Sequence, residues 1–128
     1  MPEAETKWKH FSVGEMACSH CGKCEMDDAF MARLDGLREK VGFPLVVSSG
    51  FRCAEHNQAV SSTGPNGPHT TGKAADIAVR GDRAYFLLKV AVGMGFHGIG
   101  VSQKGDKRFL HIDDCEPPAH PRPNIWSY

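Results

Sequence analysis

The order of the predicted secondary-structure elements places the chain in the α+β class. A helix, a strand, a helical turn, a strand and a second long helix are followed by two strands that lie close enough in sequence to form an antiparallel hairpin. We therefore expect a small antiparallel sheet flanked by two main helices. The length of 128 residues suits a single domain covering residues 1–128, and the hydrophobic share of 41% is typical of globular proteins.

Two segments have the apolar spacing of an amphipathic helix. The first covers residues 26–41, where apolar residues four, three and four positions apart fall on one face: Phe30, Leu34, Leu37 and Val41. Asp27 or Asp28 can cap its start, and Gly42 ends it. The second covers residues 83–92 and follows Gly81 and Asp82.

Short apolar segments predict the strands. The first is an uninterrupted run, Leu45-Val46-Val47, which favours a buried strand. A possible turn of helix at residues 53–60 and a polar loop rich in Gly and Pro at residues 61–71 come next. The remaining strands are predicted at residues 74–79, 96–101 and 108–113.

Both ends of the chain lack a regular pattern. Residues 1–10 are polar, and we expect them to be flexible. Residues 116–128 contain four prolines, which exclude a helix or an inner strand. We expect this tail to pack on the domain.

Charge and hydropathy argue against several function classes. Lys and Arg together number 15 and Asp and Glu together number 15, so the formal net charge is zero. Domains that bind nucleic acid usually carry an excess of positive charge. No apolar run approaches the roughly 20 residues of a membrane span. No secretory signal is visible at the N-terminus. We therefore expect a protein that is cytoplasmic as synthesised, with no membrane span and no nucleic-acid partner. We also expect a monomer, although nothing in the sequence gives the oligomeric state.

Three polar side chains form the candidate site. His69 lies in the polar loop, seven residues before Asp76, and Asp76 enters an apolar strand where a carboxylate is costly to bury without a cation. His111 lies in the last strand between Leu110 and Ile112, where it too needs a partner. Two neutral imidazoles and one carboxylate make a zinc set with a fourth position for water. Zinc lowers the pKa of such a water towards about 7.

Arg52 follows the break after the first strand, where functional loops tend to start. An arginine beside zinc could stabilise the negative charge that develops in a tetrahedral transition state. The alternative is a surface arginine in a weak salt bridge.

Asp113 lies two residues after His111 and shares its strand face, at roughly 6.5–7 Å. It could accept a proton from the water, or it could orient His111. The sequence leaves both roles open, but we take Asp113 as the candidate catalytic residue and expect it to be needed for turnover more than for zinc binding. Asp114 points to the other face and is the weaker candidate.

The cysteines suggest a second metal site. Five thiols cannot all pair within one chain, and without a secretory signal reduced thiols or metal ligands are favoured. One cluster resembles half of a structural zinc site, with a histidine nearby as a fourth ligand: Cys18, Cys21 and Cys24, with His20 or His10. Cys53 and Cys115 could pair with each other, or one could complete the cluster. Inert thiols are the remaining alternative.

Several of these motifs occur together in a known family. Ser49-Gly50-Phe51-Arg52, His69-x-x-Gly72-x-Ala74-x-Asp76, His111-x-Asp113 and the closing Trp126-Ser127-Tyr128 resemble the M15 metallopeptidases of the D-alanyl-D-alanine carboxypeptidase group, above all small phage and prophage members. The resemblance implies an α+β zinc fold with the site on the sheet face. By position, His69, Asp76 and His111 would hold Zn²⁺. Arg52 and Ser49 would contact the substrate.

The resemblance also implies a reaction. Members of this family cleave peptidoglycan stem peptides, so we expect a D-Ala-D-Ala carboxypeptidase or an endolysin-like endopeptidase that acts on the bacterial cell wall after release. Many relatives place Glu three residues before the last His ligand, or His two before it, where this chain has Arg108 and Phe109. That departure leaves open a non-catalytic zinc-containing module that binds cell-wall peptides. A third alternative is a small interaction protein whose only metal site is the cysteine cluster.

Overall fold

The computed structural model describes residues 8–61 and 64–128, and this part of the chain has the predicted α+β architecture. Two short 3-10 helices, Gly64–Asn66 and Pro68–Thr71, precede the second strand. The helices and strands, in chain order, are α1 (Val13–Met16), α2 (Asp28–Val41), β1 (Val46–Ser49), α3 (Ala54–Val60), β2 (Ala74–Ala78), α4 (Gly81–Gly93), β3 (Gly98–Ser102), β4 (Phe109–Asp113) and β5 (Asn124–Ser127).

The sheet has the strand order β1-β2-β4-β3-β5. The first four strands pair antiparallel, and β3 and β4 form the expected hairpin, but β5 runs parallel to β3. The prediction of an antiparallel sheet was therefore wrong at this edge, and the sheet is mixed. The four prolines of the tail all precede β5, so they do not prevent it from pairing as an edge strand.

The first strand lies at the other edge of the sheet. Val46 is 61% exposed, and Leu45, which is buried, precedes the strand. The prediction of a buried strand was therefore wrong. An apolar run of three residues has no polar alternation to show that one face is exposed, so it resembles an inner strand.

The two main helices pack together and against one face of the sheet. The side chain of Asp27 accepts a hydrogen bond from the Phe30 backbone N–H at the start of α2, and Gly42 ends the helix with a φ of 76°. No helix in residues 8–61 and 64–128 is long and apolar enough to cross a bilayer.

Side chains alternate between the two faces of the central strands. The face towards the helices carries the core residues Ala75, Ile77, Ile99, Leu110 and Ile112. Asp76, His111 and Asp113 fall between these positions and therefore point to the opposite face. The candidate site is thus separated from the hydrophobic core by the sheet itself.

The described part of the N-terminal segment is tied to α2. Trp8 is buried and its Nε1 donates to Asp28 at 3.2 Å, while the backbone N–H groups of Lys9 and His10 donate to the Asp35 carboxylate. Residues 1–7, which make up most of the segment expected to be flexible, lie outside the described residues.

Candidate metal centre

His69 lies in the short 3-10 helix Pro68–Thr71, and Gly72 caps the C-terminal end of that helix. Gly72 has a φ of 79°, and a Cβ at this position would overlap the backbone carbonyl oxygen of Glu25, so only glycine fits. The His69 ring is buried, and its Nδ1 donates to the Gly50 carbonyl oxygen at 2.8 Å. The other ring nitrogen, Nε2, faces Asp76.

Asp76 and His111 are brought together by strand register. They are direct partners in the antiparallel pairing of β2 with β4, so their side chains emerge side by side on the same face. The Nε2 of His111 donates to Asp113 at 2.6 Å, which directs Nδ1 towards Asp76.

The three predicted ligands converge on one point. Asp76 Oδ1 lies 3.2 Å from His69 Nε2 and 3.0 Å from His111 Nδ1, and the three ligand atoms lie within 4.8 Å of one another. Metal–ligand distances of about 2.0–2.2 Å in a tetrahedral zinc site place neighbouring ligand atoms about 3.3 Å apart. The spacing therefore fits a zinc ion.

Hydrogen bonding supports the same conclusion. A carbonyl oxygen only accepts, so the Nδ1 of neutral His69 carries the ring proton and Nε2 presents a lone pair. In His111 the assignment is reversed, because Nε2 donates to a carboxylate. Two lone pairs and the Asp76 carboxylate then face one another, an arrangement that needs a cation between them.

The pKa values of Asp76 and His111 are shifted by their neighbours more than by burial. Burial alone would raise the pKa of Asp76, but the charges and hydrogen bonds of His69 and His111 outweigh it and hold the pKa well below its usual range. Burial alone would lower the pKa of His111, yet hydrogen bonds to Asp113 and Asp76 leave it raised. The site therefore attracts positive charge, either as protons or as a metal ion.

Arg52 lies beside the ligands in a fixed position. Its Nε donates to Ser49 Oγ at 3.1 Å and its Nη1 to Asn57 Oδ1 at 3.0 Å, while Nη2 lies 3.6 Å from Asp76 Oδ2. Its backbone N–H donates to the His69 carbonyl oxygen. Ser49 thus positions Arg52, whereas its predicted contact with substrate stays a prediction.

The ligands open onto a cleft of about 620 Å³. Residues of the tail form one wall, and the Trp126 ring lies 5.1 Å from the His111 ring. Tyr128 packs on Phe109 with ring centroids 5.1 Å apart. The cleft lining includes Arg52, His69, Asp76, His111, Trp126 and Tyr128.

The family model described as Peptidase M15 matches residues 9–113, which include all three candidate ligands and Arg52. The chain belongs to the M15 peptidase family. No curated protein matches the chain.

M15 peptidases depend on a metal. In this chain, the residues predicted as metal ligands lie together around Asp76. The matched region ends at Asp113, so the tail residues that wall the cleft lie beyond it.

Asp113 lies behind His111, away from the cleft. It is fully buried, and its two oxygens accept from His111, from the backbone N–H of Cys115 and from both Nε and Nη2 of Arg122. Burial alone would raise the pKa of Asp113, but these partners hold it far below its usual range. Of the two roles that the sequence left open, this position favours orientation of His111. Asp114 forms a salt bridge with Arg33 at 2.7 Å instead.

Arg122 is the site residue that sequence reasoning missed. Its guanidinium binds Asp113 at 2.8 and 3.0 Å and lies 4.8 Å from the centre of the Trp126 ring. No spacing signal marks it, because it stands nine residues after its partner in an irregular segment.

The cysteines gather differently from the predicted cluster. All five are free thiols, and the Sγ atoms that come together are those of Cys18, Cys21 and Cys53, without Cys24. Cys115 lies elsewhere, 3.7 Å from Thr71 Oγ1, so the structure does not support a Cys53–Cys115 pair. Burial and the charge of Asp113 raise the pKa of Cys115 to about 11, which keeps it protonated near neutral pH.

Proposed function

We propose that this protein is a zinc-dependent peptidase that hydrolyses peptide bonds in peptidoglycan stem peptides. The observation that carries the proposal is the convergence of His69, Asp76 and His111 at the base of a cleft, with the second nitrogen of each imidazole already committed as a donor. Membership of the M15 family supports hydrolysis of a peptide bond. The choice of peptidoglycan rests on the resemblance of the sequence motifs to cell-wall members.

Some residues of the site would bind the metal, and others orient the residues that bind it. His69, Asp76 and His111 would hold the ion, while the Gly50 carbonyl and Asp113 fix the tautomer and orientation of the two rings. A zinc ion bound there supplies an activated water and polarises the scissile carbonyl.

Arg52 supplies positive charge to the reacting carbonyl. Its side chain lines the cleft and is tied by Ser49 and Asn57, so its position does not depend on the substrate. A fixed guanidinium beside the metal would stabilise the negative oxygen that develops in the transition state. The aromatic wall of Trp126 and Tyr128 would position the peptide against it.

The experiment that tests this proposal is mass spectrometry of peptidoglycan fragments after incubation with the zinc-loaded protein. We expect stem peptides shortened at the C-terminus for a carboxypeptidase, or separated cross-links for an endopeptidase. His69→Ala is the control, because it removes a ligand that lies at the base of the cleft. Fragments that are identical with the wild-type protein and with His69→Ala would contradict the proposal.

One observation favours a non-catalytic binding module as the second candidate. Among the described residues that line the cleft, Asp76 is the only one with an acidic side chain. Asp113 does not line the cleft, so it is not placed to take a proton from water there. Arg108, at a position where relatives carry Glu, lies in an adjacent cleft and donates to the Gly105 carbonyl. Sedimentation with insoluble peptidoglycan, without any new fragment in the mass spectrum, would select the binding module.

A further inference from the structure

The second cluster of metal-ligating side chains joins two distant parts of the chain. The Sγ atoms of Cys18, Cys21 and Cys53 lie within 4.8 Å of one another. Cys18 and Cys21 follow α1, whereas Cys53 is the N-cap residue of α3. None of the three belongs to the site around Asp76.

Backbone N–H groups donate to two of the three sulfur atoms. The Cys53 backbone N–H donates to Cys18 Sγ at 3.4 Å, and the His56 backbone N–H donates to Cys53 Sγ at 3.4 Å. The Gly22 backbone N–H donates to the Cys18 carbonyl at 2.8 Å, with a φ of 80° at Gly22, which folds the Cys18-x-x-Cys21 segment into a tight turn. N–H donors stabilise a thiolate more than a thiol.

Three thiolates at this separation repel unless a cation lies among them. Thiolate ligands select soft or borderline metals over magnesium or calcium. A structural zinc site has four ligands, and a Cys-x-x-Cys turn combined with a third cysteine from a remote helix start supplies three of them. Cys21 is exposed, so an ion can enter from solvent.

We propose that Cys18, Cys21 and Cys53 bind a zinc ion that fastens the segment after α1 to the start of α3. This site shares no ligand with the proposed catalytic one. It takes Cys53 in place of Cys24, which lies close in sequence but is not part of the group of converging sulfur atoms.

The site would hold the segment that carries Arg52. The Phe51 backbone N–H donates to the Met16 carbonyl at 2.8 Å, and a Cβ at Gly50 would lie 2.6 Å from that same oxygen, so the two backbones are in direct contact. Gly50 also receives the hydrogen bond of His69. A metal on Cys53 would therefore fix Arg52, which lines the cleft, and the Gly50 carbonyl oxygen, which orients the ring of His69.

Metal content per chain tests the proposal. Elemental analysis of the wild-type protein, purified under reducing conditions and loaded with zinc, should give about two zinc ions. Cys21→Ser, at an exposed position that folding tolerates, should give about one, and Cys24→Ser, the matched control, about two. His69→Ala should also give about one, and the Cys21→Ser/His69→Ala protein none.

The pattern separates this proposal from the proposed function. Equal zinc content in wild type, Cys21→Ser and Cys24→Ser would overturn the cysteine site, whatever His69→Ala shows. Loss of zinc in Cys21→Ser but not in His69→Ala would support the cysteine site and contradict the other.

A second readout identifies the ligand atoms. His69→Ala loaded with cobalt should show a thiolate-to-metal charge-transfer band in the near ultraviolet, which should weaken in Cys21→Ser/His69→Ala and persist in Cys24→Ser/His69→Ala. Fewer than five free thiols in the denatured, metal-free wild type would reveal a disulfide and overturn the proposal.

Discussion

Arg52 owes its position to three side chains, and only a planar guanidinium can contact them all. We expect Arg52→Lys to lower turnover on a stem peptide even though the charge is kept, because lysine lacks the fork that reaches Ser49 and Asn57. The expected loss is about 2–4 kcal/mol in activation free energy, as for one oxyanion donor. Steady-state kinetics measures it.

Arg83→Lys is the control, because Arg83 is exposed at the start of α4 and lies over the Phe43 ring, outside the cleft lining. Unchanged turnover in Arg52→Lys with zinc retained would contradict a role for the guanidinium fork in the reaction.

Asp113 accepts a hydrogen bond from His111, and Arg122 forms an ion pair with the Asp113 carboxylate. We expect Asp113→Asn to weaken zinc binding by about 10–100-fold, since an amide is a poorer acceptor for the His111 ring. Competition with a chromophoric chelator measures the affinity. Near-normal zinc affinity with a large fall in turnover would instead assign proton transfer to Asp113.

The sequence around each residue was enough to propose the metal ligands. It was not enough to identify the residues that hydrogen-bond to those ligands. Asp76 and His111 interrupt apolar strands, so each required a partner whatever the fold. The role of Asp113 depends on Arg122, and that contact follows from the path of the tail, which residue spacing does not encode.

Among the elements, β3 is built around glycine. A Cβ at Gly98 would overlap the Asp113 carboxylate and the Arg122 guanidinium, and one at Gly100 would lie 2.6 Å from Trp126 Nε1. Glycines in this strand thus leave room for the ion pair and the aromatic wall of the site.

Gly98→Ala should therefore destabilise the protein by about 1–3 kcal/mol, the usual cost of overpacking, and weaken zinc binding as well. Urea denaturation and the same chelator competition measure the two effects. Gly93→Ala is the control, because a Cβ built there meets no atom within 4 Å apart from its chain neighbours and the backbone of its own helix. Equal stability of the two variants would contradict this account of β3.

Sequence patterns identified the inner elements better than the edges. The helical spacing of α2 and the apolar strands β2 and β4 were recognisable because burial on one face imposes a period. β1 and β5 lie at the edges, where weaker burial leaves less pattern. The parallel pairing of β5 is set by the direction in which the tail returns, which no local signal carries.

For the molecule as a whole, a zinc ion bound by His69, Asp76 and His111 should cross-link the three separate segments that carry these residues. In Cys21→Ser, free zinc at about a hundred times its dissociation constant should add about 2.7 kcal/mol to the free energy of unfolding. That corresponds to a rise on the order of 10 °C in Tm. Thermal unfolding at several zinc concentrations measures it, and a Tm that does not change would contradict binding to the folded state.

Cys21→Ser/His69→Ala should lose this dependence, because it lacks a ligand of the site in addition to the exposed cysteine. A retained rise in Tm would place the stabilising zinc elsewhere.

The direct pairing of Asp76 with His111 across β2 and β4 has a consequence for how the chain folds. A shift of one residue between these strands would replace their backbone hydrogen bonds with a similar set between other residues, and would turn one of the two side chains to the opposite face. Misaligned sheets would then be unable to chelate, while the correctly aligned sheet would be trapped by coordination. Metal present during refolding should therefore favour the correct strand pairing. It should increase the yield of native protein without accelerating the first collapse.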